Sequence, residues 1–111
     1  MTAGGDQGLQ QLAKRALADI KRGEANTEAV QGIKEVVCGV IDSIARYYSR
    51  QLPADAKDVY QGIWDKAWEI YWGHDARGIC PPLERWLANP TGALGGFLRP
   101  AVNNLASSRC A

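Results

Sequence analysis

Apolar side chains recur at every third or fourth position along most of this chain, a spacing that is typical of amphipathic α-helices. The spacing predicts helices over residues 7–22, 27–51, 55–72 and 91–109, and a shorter helix over residues 83–87. We therefore expect an all-α fold, a small bundle of four to five helices that forms a single domain over residues 7–111. Residues 1–6 are small and glycine-containing, and we expect them to be disordered.

The segment 55–72 is expected to lie at the centre of the bundle, in a hairpin with the helix at 27–51 and with the helix at 91–109 packed against both. Pro53 excludes helical geometry from the residue before it, so the helix is predicted to begin at Asp55, whose side chain would cap the first turn. Gly73 tolerates the left-handed conformation that closes a helix and is predicted to end it. The apolar stripe of this helix is Val59, Ile63, Ala67 and Ile70.

Glycine and capping residues also predict where the first helix ends and where the second begins. Gly23 is predicted to end the first helix, and Asn26 or Thr27 is predicted to cap the second. Gly32 and Gly39 lie inside that second helix, where each costs about 1 kcal/mol relative to alanine. Packing must therefore hold the helix together, and the two glycines would let a neighbouring helix approach closely.

The last predicted helix contains a proline. Thr91 is predicted to cap it, and Pro100 lies in its interior. Because a proline there removes a backbone donor and clashes with the preceding turn, we expect either a kink or a helix that begins near Leu98. Gly95 and Gly96 would absorb the adjustment.

Two stretches of this sequence resemble region 2 of the sigma-70 superfamily, in particular its small extracytoplasmic-function members. The first runs from Ala56 to Trp68 and reads AKDVYQGIWDKAW. The second runs from Gly95 to Ala106, GGFLRPAVNNLA, and resembles the family's helix next to promoter DNA. The resemblance covers about residues 33–109, and the order of the two motifs makes it more specific than either motif alone.

The resemblance implies a cytoplasmic protein of transcription regulation that binds RNA polymerase core. In sigma factors the first of these helices docks on the clamp helices of the polymerase's largest subunit, and the following loop and helix contact the promoter's −10 element. Carried over to this chain, the polymerase-binding residues are Asp58, Gln61, Trp64, Asp65 and Trp68. The DNA-binding residues are Phe97, Arg99, Asn103 and Asn104.

The chain also departs from the family's pattern. Gly62 stands where the family usually has an acidic residue, and the segment 73–95 is longer and rich in proline. The sequence ends at Ala111, which leaves no room for the helix-turn-helix domain that binds the −35 element. We therefore expect −35 recognition to be absent or to be supplied by a second protein. An activating subunit and a competitor of other sigma factors both fit this pattern.

The composition limits the partners and the chemistry. The net charge is only +1, with 13 basic and 12 acidic side chains, and this argues against strong DNA binding by the domain alone. There is no apolar run of about 18 residues and no secretory leader, so we expect a cytoplasmic protein that does not enter a membrane.

No pattern of catalytic or metal-binding residues is evident. The three cysteines are widely spaced, which favours reduced thiols, and His74 and Cys80 lack the paired spacing of zinc ligands. There is neither a nucleophile with its base nor a phosphate-binding glycine loop. We therefore expect no enzymatic activity, no metal and no cofactor.

An alternative interpretation is a helical protein-interaction module that keeps this fold without binding polymerase or DNA. A homodimer is one form that such a module would take. In that case Trp64 and Trp68 are core aromatics, which is the favoured interpretation for Trp68 in any case. Exposure of Gln61, Trp64 and Asp65 on one surface would favour polymerase binding. Burial of Trp64, or an oligomer that covers it, would favour the interaction module.

Overall fold

The computed structural model describes residues 2–73, 75–89 and 92–110, and the side chains of residues 8–73, 75–89 and 92–108. Within these residues the chain forms helices and no strand, so the predicted all-α class is confirmed, as is the bundle of four to five helices. The α-helices are α1 (Thr2–Lys21), α2 (Glu28–Gln51), α3 (Ala56–Tyr71), α4 (Cys80–Ala88) and α5 (Leu94–Cys110). None of them combines the length and apolarity needed to cross a membrane.

The second helix, α2, is the centre of the bundle. It packs against α1, α3 and α5, while α4 closes the far side against α1 and α5. The apolar stripe of α2 includes Ile33, Val37 and Ile41, which are at most 1% exposed. Fully burying an aliphatic side chain of this kind contributes about 1.5–3 kcal/mol. The predicted hairpin of α2 and α3 is present, and α5 packs against both helices. The helix at the centre of the bundle, however, is α2 and not α3.

Short-range signals place several helix ends as the sequence predicts. The hydroxyl oxygen of Thr27 accepts a hydrogen bond of 3.3 Å from the amide of Val30, which caps α2. The same hydroxyl donates to Asp19 on α1 over 2.6 Å, so the cap also joins two helices. Gly23 and Gly73 have φ angles of 84° and 53°, the left-handed conformation expected after α1 and α3. Thr91, the predicted cap of the last helix, lies outside the described residues.

The predicted cap of α3 is wrong. Residues Pro53–Asp55 form a turn of 3-10 helix, and the side chain of Asp55 makes no capping hydrogen bond. The backbone of Asp55 has φ −116° and ψ 19°, whereas a capping residue needs the extended conformation that directs its side chain at the first-turn amides. The proline therefore starts helical winding early, and Asp58 remains the acidic residue of the first turn.

Two other helix boundaries differ from expectation. The first helix begins at Thr2, so its backbone includes the segment 2–6 for which the sequence predicts disorder. The last helix begins at Leu94 and continues through Pro100, so the alternative start near Leu98 is wrong. Pro100 is tolerated because packing of Leu94, Leu98 and Val102, each at most 2% exposed, compensates for the missing backbone hydrogen bond.

The two glycines inside α2 have different surroundings. A Cβ atom on Gly32 would lie 2.6 Å from Cδ2 of Leu12, so this glycine does let α1 approach closely, as predicted. A Cβ atom on Gly39 would meet nothing within 4 Å. Gly39 therefore weakens α2 without serving a contact.

Candidate functional site

An open groove between α2 and α3 carries most of the residues that the sigma resemblance assigns to polymerase binding. Its cavity has a volume of about 550 Å³. We call it the aromatic groove, because three of its seven lining side chains are aromatic. The lining residues are Lys34 and Cys38 of α2 and Tyr60, Gln61, Trp64, Asp65 and Trp68 of α3.

The carboxylate of Asp42 fixes the aromatic side chains at one end of the groove. It accepts hydrogen bonds from the hydroxyl of Tyr60 and, over 3.3 Å, from the indole nitrogen of Trp64. Its other oxygen lies 2.8 Å from Nε of Arg46. The hydrogen bond from Tyr60, followed by those of Trp64 and Arg46, stabilises the charged form and holds the pKa of Asp42 below its usual value, against the effect of desolvation. The orientation of Tyr60 and Trp64 is thus set before any partner arrives.

A row of tryptophans leads from the core to this surface. Trp64 and Trp68 on α3 and Trp72 just after it are spaced by four residues, with ring centroids 6.3 Å and 5.7 Å apart, and the second pair is stacked. Trp72 is buried at 8% exposure, whereas Trp64 and Trp68 are half-buried and pack on the core from outside. Nζ of Lys34 lies 5.4 Å from the centroid of the Trp68 ring, within range of a cation–π interaction.

The outer wall of the groove is polar. The side-chain amide of Gln61 donates a hydrogen bond of 2.9 Å to the carboxylate of Asp65, and both side chains are exposed. An apolar floor with a polar rim is the arrangement found in protein–protein interfaces. The groove is therefore suited to hold another protein surface.

The structure brings four of the five predicted polymerase-binding residues together. Gln61, Trp64, Asp65 and Trp68 line the aromatic groove, and Asp58 is exposed on the same helix but does not line it. The interpretation of Trp68 as a core aromatic holds in part, since one side of it packs on the core while it also lines the groove.

The contribution of α2 to this site was not predicted from the sequence. Lys34, Cys38 and Asp42 follow one another at intervals of four residues, beside the apolar stripe of the same helix. That regular polar stripe was the available signal, because residues four apart share a helix face. Tyr60 gave no such signal, since its role depends on its contact with Asp42 eighteen residues away.

The four predicted DNA-binding residues lie on two different surfaces of α5. Arg99 donates a hydrogen bond of 3.2 Å to the hydroxyl of Ser43, and the side-chain oxygen of Asn103 accepts one of 3.2 Å from the hydroxyl of Tyr48. Both residues line a cavity of about 370 Å³, the α2–α5 cleft, with Ser43, Ile44, Tyr47 and Arg50. Phe97 and Asn104 line a separate depression next to α3 and α4.

The described side chains include no group of three or more that could hold a metal ion. Cys38 and Cys80 are free thiols, and burial raises the pKa of each. His74, the histidine considered for a metal site in the sequence analysis, lies outside the described residues.

Three depressions thus hold the residues that the sequence singles out, apart from Asp58: the aromatic groove, the α2–α5 cleft and the depression beside Phe97. The function of this chain is inferred from their geometry and from the two sequence motifs. Comparisons with models of protein families, with curated proteins and with solved structures found no match to this chain.

Proposed function

We propose that this chain is a sigma factor-like transcription protein that binds RNA polymerase core through its aromatic groove. One observation carries the proposal: Gln61, Trp64, Asp65 and Trp68, which the sigma resemblance assigns to polymerase contact, line a single open groove. The partner surface is then the clamp helices of the polymerase's largest subunit, as in the family that the two motifs resemble.

The shape and chemistry of the groove suit a helical partner. A groove between two helices accepts the ridge of a third helix, and a volume of about 550 Å³ leaves room for several inserted side chains. The half-exposed rings of Trp64 and Trp68 supply the apolar contact that dominates binding energy in most interfaces. Gln61 and Asp65 supply hydrogen bonds at the rim and fix the partner's orientation.

The groove is also preorganised. Asp42 holds Tyr60 and Trp64 by hydrogen bonds, and Lys34 lies over the ring of Trp68. Side chains that are already ordered lose less conformational entropy when a partner binds, which otherwise costs about 0.5–1.5 kcal/mol for each immobilised side chain. The aromatic floor is therefore ready for docking without a rearrangement of the bundle.

Contact with the promoter −10 element belongs to the α2–α5 cleft in this proposal. The charged residues that line it are Arg50 and Arg99, its described lining includes no carboxylate, and Tyr47 beside them is 56% exposed. Arginine with an exposed aromatic is the combination that binds single-stranded nucleic acid, through phosphate contacts and base stacking. Local positive charge of this kind reconciles DNA contact with a net charge of only +1.

A binding assay with purified bacterial RNA polymerase core tests the proposal. The wild-type chain is compared with the Gln61→Ala/Asp65→Ala variant, which removes two exposed groove side chains. Lys57→Ala/Glu69→Ala is the matched control, because both of its side chains are exposed on α3 and neither lines the groove. We expect the groove variant to bind at least about tenfold more weakly, equivalent to about 1.4 kcal/mol, and the control to bind like the wild type.

Circular dichroism establishes that each variant keeps its helical content. A wild-type chain that does not bind polymerase would overturn the proposal and leave the helical interaction module as the function of this fold. Equal binding by the groove variant and the wild type would show that polymerase docks elsewhere. For the cleft, Arg50→Ala/Arg99→Ala should weaken binding of single-stranded −10 DNA to the complex without changing affinity for polymerase.

A further inference from the structure

A second exposed surface lies on the opposite side of α3 from the aromatic groove. Ile70 and Phe97 are 44% and 37% exposed, two of the four large hydrophobic side chains that are exposed among the described residues. Successive helical residues are about 100° apart, so Ile70 lies roughly half a turn around α3 from Gln61 and Asp65. A partner in the groove would therefore leave this surface free.

Two neighbouring depressions make up this surface. Ile70 and Phe97 line a depression of about 470 Å³ between α3, α4 and α5, whose other lining residues include Pro81, Pro82 and Pro100. Ile70 also lines a neighbouring depression of about 500 Å³ with Lys66, Leu105 and Ser108. Because the two depressions share Ile70, we treat their lining residues together as the apolar trough.

The length of the trough fits a short helix. The helix α5 contributes Phe97, Ala101, Leu105 and Ser108, at spacings of four, four and three, which form one ridge along its surface. The twelve residues from Phe97 to Ser108 span about 16 Å, or about three helical turns. Helices that dock in grooves use anchors at i, i+3 or i+4, and i+7, over a similar length.

The charges of the trough discriminate between possible occupants. The charged residues among its described lining are Lys66 and Arg85, and the lining includes no carboxylate. Neither cation forms an ion pair with any described side chain. A second copy of this chain, placed face to face, would bury these cations without a carboxylate to pair with them. A partner with carboxylates beside an apolar stripe would instead pair with both cations.

From this complementarity we propose that the apolar trough binds an acidic amphipathic helix of another protein. Apolar side chains of that helix lie between Ile70 and Phe97, and its carboxylates face Lys66 and Arg85. The site does not rest on polymerase binding, since it lies on the other side of α3 and can be filled while the aromatic groove is occupied.

Fluorescence anisotropy with a synthetic peptide tests this proposal on the full chain. The probe is a fluorescein-labelled 15-residue helix with leucine at positions i, i+4, i+7 and i+11 and glutamate on the flanking positions. A second peptide with lysine in place of each glutamate is the charge control. We expect the acidic peptide to bind at least tenfold more tightly than the basic one, and Lys66→Glu/Arg85→Glu to reverse that order.

The apolar part of the trough is tested by Ile70→Ser, which should weaken binding of the acidic peptide at least tenfold. Tyr47→Ser is the matched control, because Tyr47 is also an exposed large side chain but lies outside the trough. Equal affinity for the two peptides, or unchanged affinity in both trough variants with native circular dichroism, overturns the proposal. So does a homodimer in sedimentation that Ile70→Ser converts to a monomer, since the occupant would then be a second copy.

Discussion

Tyr60 on α3 donates a hydrogen bond to the carboxylate of Asp42 on α2, and this contact joins the two walls of the aromatic groove at one end. The same carboxylate accepts from Trp64, so one acidic side chain sets the position of two aromatic rings. The hydrogen bond from Tyr60 is the main cause of the lowered pKa of Asp42, and it therefore links the geometry of the groove to pH.

Replacing Tyr60 with phenylalanine should destabilise the protein in a pH-dependent way. At pH 7 the Tyr60→Phe variant loses a hydrogen bond to a charged group. We expect its free energy of unfolding to be about 1 kcal/mol lower than that of the wild type. This value allows for screening by solvent, because Asp42 is partly exposed. The folded-state pKa of Asp42 lies below its ordinary value of 3.8. The stability that the charged carboxylate contributes is therefore present above pH 3.8 and is lost as pH falls through the lowered pKa. Urea unfolding at pH 7 and at a series of pH values that extends below the lowered pKa measures the difference.

The matched control is Tyr47→Phe, since the hydroxyl of Tyr47 makes no hydrogen bond with a described residue. This variant should unfold like the wild type at every pH. A stability difference between Tyr60→Phe and the wild type that stays constant through the whole acid series, to pH values below the lowered pKa, would contradict the role assigned to Asp42.

A methyl group at Gly78 should be among the most damaging small changes in the chain. A Cβ atom there would lie 1.6 Å from the backbone carbonyl oxygen of Ile70, which no side-chain movement can relieve. We expect Gly78→Ala to lower the free energy of unfolding by about 3 kcal/mol or more, because the connection between α3 and α4 must shift. Gly39→Ala is the opposite case: its Cβ atom meets nothing, and alanine should raise the free energy of unfolding by about 1 kcal/mol.

Thermal unfolding followed by circular dichroism distinguishes these two glycine variants. Equal melting temperatures for Gly78→Ala and the wild type would mean that Gly78 does not lie against the backbone carbonyl of Ile70 as described above. A lower melting temperature for Gly39→Ala would mean that its position in α2 is not open.

Chemical modification of Cys38 should report on the aromatic groove. Desolvation raises the pKa of this thiol above its ordinary value of 9.0, and only the thiolate reacts. In a Cys80→Ser/Cys110→Ser variant, alkylation of Cys38 should therefore be slow at pH 7 and accelerate until the pH passes the raised pKa. Polymerase in the groove should protect the thiol, and prior labelling with a bulky maleimide should block binding.

The control for this labelling is Cys38→Ser/Cys110→Ser, in which Cys80 on α4 is the remaining thiol. Cys80 lies outside the groove, so its modification should leave polymerase binding unchanged. If labels at Cys38 and at Cys80 both block polymerase binding, labelling disturbs the bundle as a whole and the result says nothing specific about the groove.

Much of the fold was predictable because its signals are local. The 3.6-residue periodicity of apolar positions predicted the segments that form α2, α3 and α4, and it predicted most of their buried faces. The prediction was wrong for Ile70, which was assigned to the apolar stripe of α3 and is 44% exposed. Thr27, Gly23 and Gly73 were correctly assigned to helix ends, since a cap or a left-handed residue acts on the turn beside it. Asp55 was the exception: a local proline produced a 3-10 turn that the capping pattern does not describe.

Only the α3 residues of the candidate site were predictable from the sequence. The spacing of Gln61, Trp64, Asp65 and Trp68 placed them near one another on α3, and the structure places all four in one groove. The opposite wall, with Lys34 and Cys38, belongs to α2 and was not predicted, and neither was the contact of Asp42 with Tyr60. The four residues assigned to DNA contact were treated as one site, whereas Arg99 and Asn103 lie in a different depression from Phe97 and Asn104.

By itself the sequence determined where helices form, which side of each is apolar and where most of them end, because these properties depend on residues within one or two turns. Tertiary structure alone decided that α2 is the central helix, that Asp42 meets Tyr60 and that Gly78 lies against Ile70. Those contacts depend on how each helix is rotated about its axis and which ridge meets which groove. Packing of the whole apolar core sets that rotation, and no single segment encodes it.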